Sequence, residues 1–313
     1  MCGITDHNYR TLCYEQGCDL AYTEMISAMG YLCAPEQKAT NELMIRGNNE
    51  PRLILQLFGK NPDIVAEAAE KICKTEIYDG IDLNMGCPAK KIAPSGEGCG
   101  LMRTPETAFK MMKQTVDVCN IPVSVKMRLG YDKEHINVIE FAKMAEEAGV
   151  SSITVHGRTR EQQYSGQADW DMIAQVKNNV HIPVCGNGDI FTAEQALIKF
   201  NHAKTDAVMI GRGAMGNPWI FREIKQALSG MEITKATTDE KRNMIIRHYR
   251  MMLSSKPEKI AVREMRKHIG WYIHGMKGAA QFRSEINRCA YAAEAFRMID
   301  RYFSFFSERE EEI

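Results

Sequence analysis

The residues best suited to chemistry in this chain lie where apolar runs give way to loops. The stretch 80–102, GIDLNMGCPAKKIAPSGEGCGLM, ends an apolar run (Ile81, Leu83, Met85) at Gly86-Cys87-Pro88 and enters a loop rich in Gly and Lys. A thiol at the end of a buried strand faces the ligand edge of a parallel α/β sheet. Most of the ten cysteines read as small buried apolar residues. Cys87 stands apart because Asn84 precedes it and a Pro and a mobile loop follow. Gln56, Lys126, Arg128, His156, Arg158, Asn187, Asp189 and Arg212 occupy matching places at the ends of other apolar runs. Burying each without a partner would cost free energy, so together they argue for a polar ligand over one shared mouth.

Gly211-Arg212-Gly213-Ala214-Met215-Gly216 matches Gly-x-Gly-x-x-Gly, with Glu232 downstream. Alone this is a weak sign of a Rossmann site. It follows the last strand, however, and Gly186-Asn187-Gly188 follows the strand before it. The pair therefore reads as a barrel phosphate site, in which backbone N–H groups exposed by Gly and the Arg212 guanidinium suit a phosphomonoester.

These residues need a scaffold that gathers strand ends. Apolar runs near residues 2, 22, 55, 83, 125, 154, 184 and 209 alternate with helical patterns and short connections, the mark of a parallel sheet covered by helices. Eight βα units fit a (β/α)8 TIM barrel, while a doubly wound open sheet remains compatible with the periodicity. Asn61-Pro62 and Thr104-Pro105 mark helix starts. Beyond Gly230 the strand signals stop, and residues 238–307 read as a separate all-helical domain with breaks near 254–257 and 277–278. The expected division is thus a catalytic barrel over 1–230 and a small helical domain over 238–307.

Lys and Arg balance Asp and Glu at 40 each. The balance is uneven: residues 238–277 hold ten cations against four anions. Such asymmetry points to a polyanion at that end. Arg263, Arg266 and Lys267 share a helical face at i, i+3 and i+4. No zinc-type spacing, signal peptide or long apolar run is present, so the expectation is a cytoplasmic monomer without metal.

Met1-Cys2-Gly3-Ile4-Thr5-Asp6, Thr23-Glu24-Met25, Gln56-Leu57-Phe58-Gly59, Asn84-Met85-Gly86-Cys87-Pro88, Val125-Lys126-Met127-Arg128, His156-Gly157-Arg158-Thr159, Asn187-Gly188-Asp189-Ile190 and Gly211-Arg212-Gly213 resemble, in order and spacing, the tRNA-dihydrouridine synthases. The tail Arg263-Glu264-Met265-Arg266-Lys267-His268, followed by Gly278-Ala279-Ala280, resembles the B-type bacterial branch. The resemblance implies a flavoenzyme that reduces FMN with NADPH and then reduces a uridine of tRNA. It implies flavin contacts from Gln56, Lys126 and His156, and a phosphate held by Asn187, Gly188, Asp189, Gly211 and Arg212. Cys87 would be the general acid, with Cys99 in the same loop as the competing thiol. Asn84, Arg128 and Arg158 would face the uracil. Arg263, Arg266 and Lys267, with Lys90 and Lys91, would meet the RNA. In the family a Pro precedes the first Met of the motif and the first strand begins earlier, so strand one is expected to be short here. Rival readings are a flavin barrel reducing a free pyrimidine or enone, which has no use for residues 238–277, and an RNA-binding relative without catalysis, which has no use for Cys87, Lys126 and His156 together.

Overall fold

The computed structural model describes residues 1–310. Seven parallel strands take up the apolar runs: β1 (Ala21–Ser27), β2 (Leu53–Phe58), β3 (Gly80–Met85), β4 (Val123–Arg128), β5 (Ser152–His156), β6 (Val184–Asn187) and β7 (Ala207–Met209), paired in that order. Helix α1 (His7–Glu15) precedes β1, and α2 (Ala28–Cys33) and α3 (Lys38–Met44) follow it. After β2 to β7 in turn come α4 (Pro62–Cys73), α5 (Pro105–Val118), α6 (Val138–Glu147), α7 (Trp170–Asn179), α8 (Ala193–Ala203) and α9 (Ile220–Leu228). Helices α10 (Thr238–Ser255), α11 (Glu258–Tyr272), α12 (Ala279–Ile286) and α13 (Ala292–Glu310) complete the order. This is the parallel βα succession of a TIM barrel, followed by helices alone.

Register explains why polar groups collect on one side. Leu57, Leu83, Val125, Ile153 and Val184 are successive partners across β2 to β6 and are all buried against the covering helices. Each such side chain contributes about 1.5–3 kcal/mol on burial. Side chains alternate faces along a strand. The intervening Asp82, Asn84, Lys126, Thr154 and Cys185 therefore turn away from the helices into the barrel interior.

The strand expected near residue 2 is not formed. Ile4 N and Thr5 N both donate to Met1 O, at 3.0 and 3.2 Å, which curls residues 1–5 into a turn. Gly3 has φ 68°, and its N–H donates to Glu24 Oε2 at 2.7 Å, so a carboxylate takes the hydrogen bond a strand would give its neighbour. No ladder joins β7 to β1 among the described residues.

The helical region has its own core. Ile245, Met265, Ile269, Phe282, Ile299 and Phe303 enclose it, and Tyr9, Leu12 and Cys13 of α1 join them. The first helix of the chain thus belongs to the layer built by the last four. A capping box between Thr237 and Glu240 starts α10. Lys256-Pro257 separates α10 from α11, and Gly278 at φ 73° starts α12. A further break at 287–291 separates α12 from α13 and has no strong turn signal in the sequence.

Candidate active site

Strand β3 delivers Cys87. At its end Asn84 Oδ1 accepts from Gly86 N at 3.2 Å and from Cys87 N at 2.9 Å, which closes a tight side-chain turn under the thiol. The following loop folds back on it: Cys99 N donates to Cys87 O at 3.1 Å, and Gly98, at φ 55°, approaches so closely that a Cβ would lie 2.9 Å from Cys87 Cβ. Cys87 is half-buried, and burial raises its thiol pKa, so it keeps its proton. Cys99 is fully buried, its Sγ is turned to Gly130 O at 3.6 Å, and burial pushes it up to about 12. Of the two loop thiols, only Cys87 borders open space.

A relay below fixes the Cys87 turn. Gln56 Nε2 donates to Asp82 Oδ2 at 2.8 Å, and Asn84 Nδ2 donates to Gln56 Oε1 at 2.9 Å. Ser124 Oγ donates to the other oxygen, Asp82 Oδ1, at 2.7 Å. Both ends dictate one orientation of the two carboxamides, because a carboxylate accepts and backbone N–H groups donate. Asp82 is wholly buried, and desolvation pushes it up to about 6 against the lowering effect of Ser124 and Gln56. Sequence reasoning missed Asp82. Its signal was an acidic residue between Ile81 and Leu83 in an otherwise apolar strand.

Strand β4, with Lys126 and Arg128, and the segments after β5 and β7, with Arg158 and Arg212, supply cations. Lys126 Nζ donates to Asn187 Oδ1 at 3.1 Å, and Asn187 Nδ2 donates to Met209 O at 2.8 Å. Burial first, then the charge of Arg128, brings the Lys126 ammonium down to about 8. His156 is buried, and its Nε2 has no hydrogen-bond partner among the described residues. Desolvation, then Lys126, Arg128, Arg158 and Arg212, drive its pKa far down, so the imidazole is neutral.

Arg158 and Arg128 are turned inward. Arg158 is 1 % exposed and gives two hydrogen bonds to Asp189, at 2.8 and 2.6 Å, and others to Ser165 O and Gly166 O. Arg128 Nε donates to Gly86 O, and Nη1 to Thr159 O and Gln163 O, which ties the Cys87 turn to the loop after β5. Arg212 Nη2 reaches Asp189 Oδ1 at 3.0 Å. Burial works against the Asp189 carboxylate, but hydrogen bonds from Arg158 and Ala168 N and the charges of Arg158 and Arg212 hold it below its ordinary range. Asp189 therefore orients Arg212. Gly188 and Gly213 permit close loop approach: a Cβ would lie 2.6 Å from Ala168 Cβ in the first case and 2.0 Å from Ile190 O in the second. A Cβ on Gly211 would meet nothing within 4 Å, so that backbone faces open space.

The mouth thus gathers Gln56, Asn84, Cys87, Lys126, His156, Asn187, Gly188, Asp189, Gly211 and Arg212. Lys90 and Lys91 stand exposed on the loop after Cys87, and Arg263 is exposed on α11. Arg266 Nη2 is committed to Cys289 O at 2.8 Å, and Lys267 donates to Gly3 O. Tyr164, missed in the sequence, is 53 % exposed with its ring 4.5 Å from Arg212 Cζ and 5.9 Å from Arg128 Cζ. It offers a flat face beside the cations; a lone aromatic in a Gln- and Ser-containing loop was its only signal.

A family model described as Dihydrouridine synthase (Dus) matches residues 1–307. The chain is 36 % identical over 304 residues to tRNA-dihydrouridine synthase B of Shewanella oneidensis, covering 97 % of this chain and 93 % of that protein. It is 37 % identical over 289 residues to tRNA-dihydrouridine synthase B of Pseudomonas aeruginosa, covering 92 % and 86 %. Among solved structures, histamine dehydrogenase from Rhizobium sp. 4-9 superposes with a TM-score of 0.55 at 12 % identity, over 79 % of this chain and 47 % of that one, a likeness of fold. With the motifs in order along the strand ends and a match spanning nearly the whole length, the chain belongs to the dihydrouridine synthase family.

Proposed function

We propose that this protein reduces the C5=C6 bond of a uridine in tRNA to 5,6-dihydrouridine, using FMN over the barrel mouth and NADPH as reductant. The observation that carries the reading is a proton-retaining thiol, Cys87, at the same sheet edge as a cationic mouth containing the unpartnered His156 Nε2. That nitrogen, the Lys126 ammonium and the open backbone at Gly211 suit a flavin and its phosphate. FMN, when bound, supplies a hydride equivalent to uracil C6. Cys87 Sγ gives the proton to C5 from the opposite face as general acid. Lys126 compensates charge at the ring, with Gln56 and His156 beside it. Asn187, Gly188, Gly211 and Arg212 hold the phosphate, while Asp189 acts through Arg212. Asn84 has a second Nδ2 hydrogen, now turned to Met25 Sδ at 3.6 Å, for a uracil carbonyl. Arg128 adds its remaining Nη2 group, and Tyr164 a stacking face.

A uracil in folded tRNA is stacked, so the base must swing out into the mouth. Residues 1–230 form the catalytic unit in this reading. Residues 238–307 form an RNA-binding helical unit on which α1 is seated, with Arg263 among its exposed cations. The helical unit weighs against a free pyrimidine or enone as substrate. The test is turnover of NADPH by the FMN-loaded protein with tRNA lacking dihydrouridine, scored by dihydrouridine formed in the RNA. Equal or faster turnover on free uridine, or a protein that binds no FMN, would overturn it.

A further inference from the structure

The loops after β3, β4 and β5 are joined into one plate on the mouth face. Cys99 links Cys87 O to Gly130 O, Asn137 Nδ2 donates to Met102 O at 2.8 Å, and Arg160 N donates to Gly130 O at 2.9 Å. On this plate Tyr131 is flanked by two guanidinium groups: Arg103 Cζ lies 4.8 Å and Arg160 Cζ 5.1 Å from the ring centroid. Arg158, Arg212 and Arg247 pair with carboxylates, but neither Arg103 nor Arg160 does so among the described residues. Arg103 is exposed, Arg160 is half-buried, and the buried Arg160 Nε has no hydrogen-bond partner among the described residues.

An arginine laid along a tyrosine to cover its stem is ordinary surface packing. Two on one ring, without an acid between them, repel each other, and the ring repays little of that at an exposed site. An anion relieves the repulsion, and guanidinium groups grip phosphate through paired N–H donors.

Position selects the anion. The cluster stands at the ends of β4 and β5, in the middle of the strand order. The helical unit meets the other side: Lys267 bonds Gly3 O, and a Cβ on Gly216 would strike Trp271. The helical unit, with its excess of cations over 238–277, and the Tyr131 cluster therefore stand on opposite sides of the mouth. A chain that inserts one base between them crosses both with its backbone, whereas a small phosphorylated ligand has no use for the second. We infer that Arg103 and Arg160, held on Tyr131, bind backbone phosphates of the tRNA on the side of the mouth away from the helical unit. The plate fixes this contact relative to Cys87, so it registers the RNA against the proton donor. The inference rests on the tRNA reading above.

The experiment measures binding of tRNA lacking dihydrouridine to the FMN-loaded full chain over a range of salt concentrations. It compares the parent, Arg103→Gln/Arg160→Gln and Arg103→Glu, each checked for melting temperature and flavin content. The double variant should bind more weakly, with log Kd less steep in log salt by about 0.7–0.9 per lost contact. Arg103→Glu should weaken binding as well; because Arg103 is exposed, it keeps the test decisive if Arg160→Gln disturbs the plate. A parent that binds with a steep salt slope alongside variants of equal slope would overturn the rim and leave the tRNA reading standing. A parent that binds no tRNA removes both.

Discussion

Among the described residues, two places bury histidines with a ring nitrogen that lacks a partner, and they differ in their surroundings. At the barrel mouth, His156 faces Lys126, Arg128, Arg158 and Arg212, with Asp189 the carboxylate shared by two of them. In the seam between α1 and the helical unit, His248 and His268 lie 4.6 Å apart, centroid to centroid, among the rings of Tyr9, Trp271 and Tyr272. The seam's charges are balanced: Lys256 lies between Asp6 at 2.8 Å and Glu264 at 2.7 Å, and Lys267 also acts on both imidazoles. An orphaned buried nitrogen marks a site only where the charge around it is unbalanced and space is open. The mouth meets both conditions. The seam is a neutral, aromatic joint, and its histidines are core residues.

The comparison is broken most sharply at Cys87. Cys87→Ala should slow oxidation of the pre-reduced protein by tRNA roughly 10²–10⁴-fold, the usual worth of a general acid. Cys99→Ala, at a wholly buried position, should lower the melting temperature and leave that rate far less changed. If the two results were exchanged, the proton would come from the wrong side of the loop.

The seam should respond to acid rather than to ligands. Burial lowers His248 from 6.5 to about 4. Its folded pKa lies below the unfolded one, so its contribution to stability is complete above 6.5 and is lost as pH falls through 4. The loss attributable to His248 is about 3 kcal/mol in full. His248→Phe should flatten the acid limb of a urea-stability profile. An unchanged limb would show that His248 already titrates normally in the fold.

Asp82 tests whether the mouth depends on its buried relay. Asp82→Leu strands Gln56 Nε2 and should cost about 1–3 kcal/mol of stability, with weaker flavin retention. Asp82→Asn keeps an acceptor for Gln56 and can donate to Ser124, so it should fall well short of that loss. Equal damage from both would mean that the negative charge, rather than the hydrogen-bond direction, is what the barrel requires.

Much of this was legible because parallel strands buried on both faces read as unbroken apolar runs, and a polar residue ending such a run has few places to go except the mouth. Gln56, Asn84, Lys126, His156 and Asn187 are visible in that way. What was not legible depends on partners distant in sequence. Residues 1–5 look like a strand end until Glu24, on β1, captures Gly3 N. Arg158 looks like a ligand-binding cation, whereas the fold buries it against Asp189. Arg266 and Lys267 read as an RNA-facing pair, and the fold gives one donor of each to a backbone oxygen, Cys289 O and Gly3 O. Helical spacing places side chains on a shared face without saying what else packs there. Helix α1 gives no local sign that it belongs with α10 to α13, because its burial comes from the far end of the chain.

The smallest effect expected separates two sides of the mouth, β4 with Lys126 and β6–β7 with Arg212. Lys126 is brought down to about 8, chiefly by burial. A flavin ring that gains from the ammonium must then keep Lys126 charged as pH rises. Affinity should be level near pH 7 and decline above 8, by up to about tenfold per pH unit. The decline should be shared by FMN and riboflavin, because it belongs to the ring. Arg212→Ala should weaken FMN while leaving riboflavin nearly unchanged, because guanidinium and phosphate form their own charge-assisted contact. Lys126→Met should do the reverse, lowering both affinities at pH 7 and removing the alkaline decline. Titration by flavin fluorescence between pH 7 and 9.5 measures all three. A decline seen with FMN and absent with riboflavin would place the titrating cation at the phosphate and take Lys126 away from the ring.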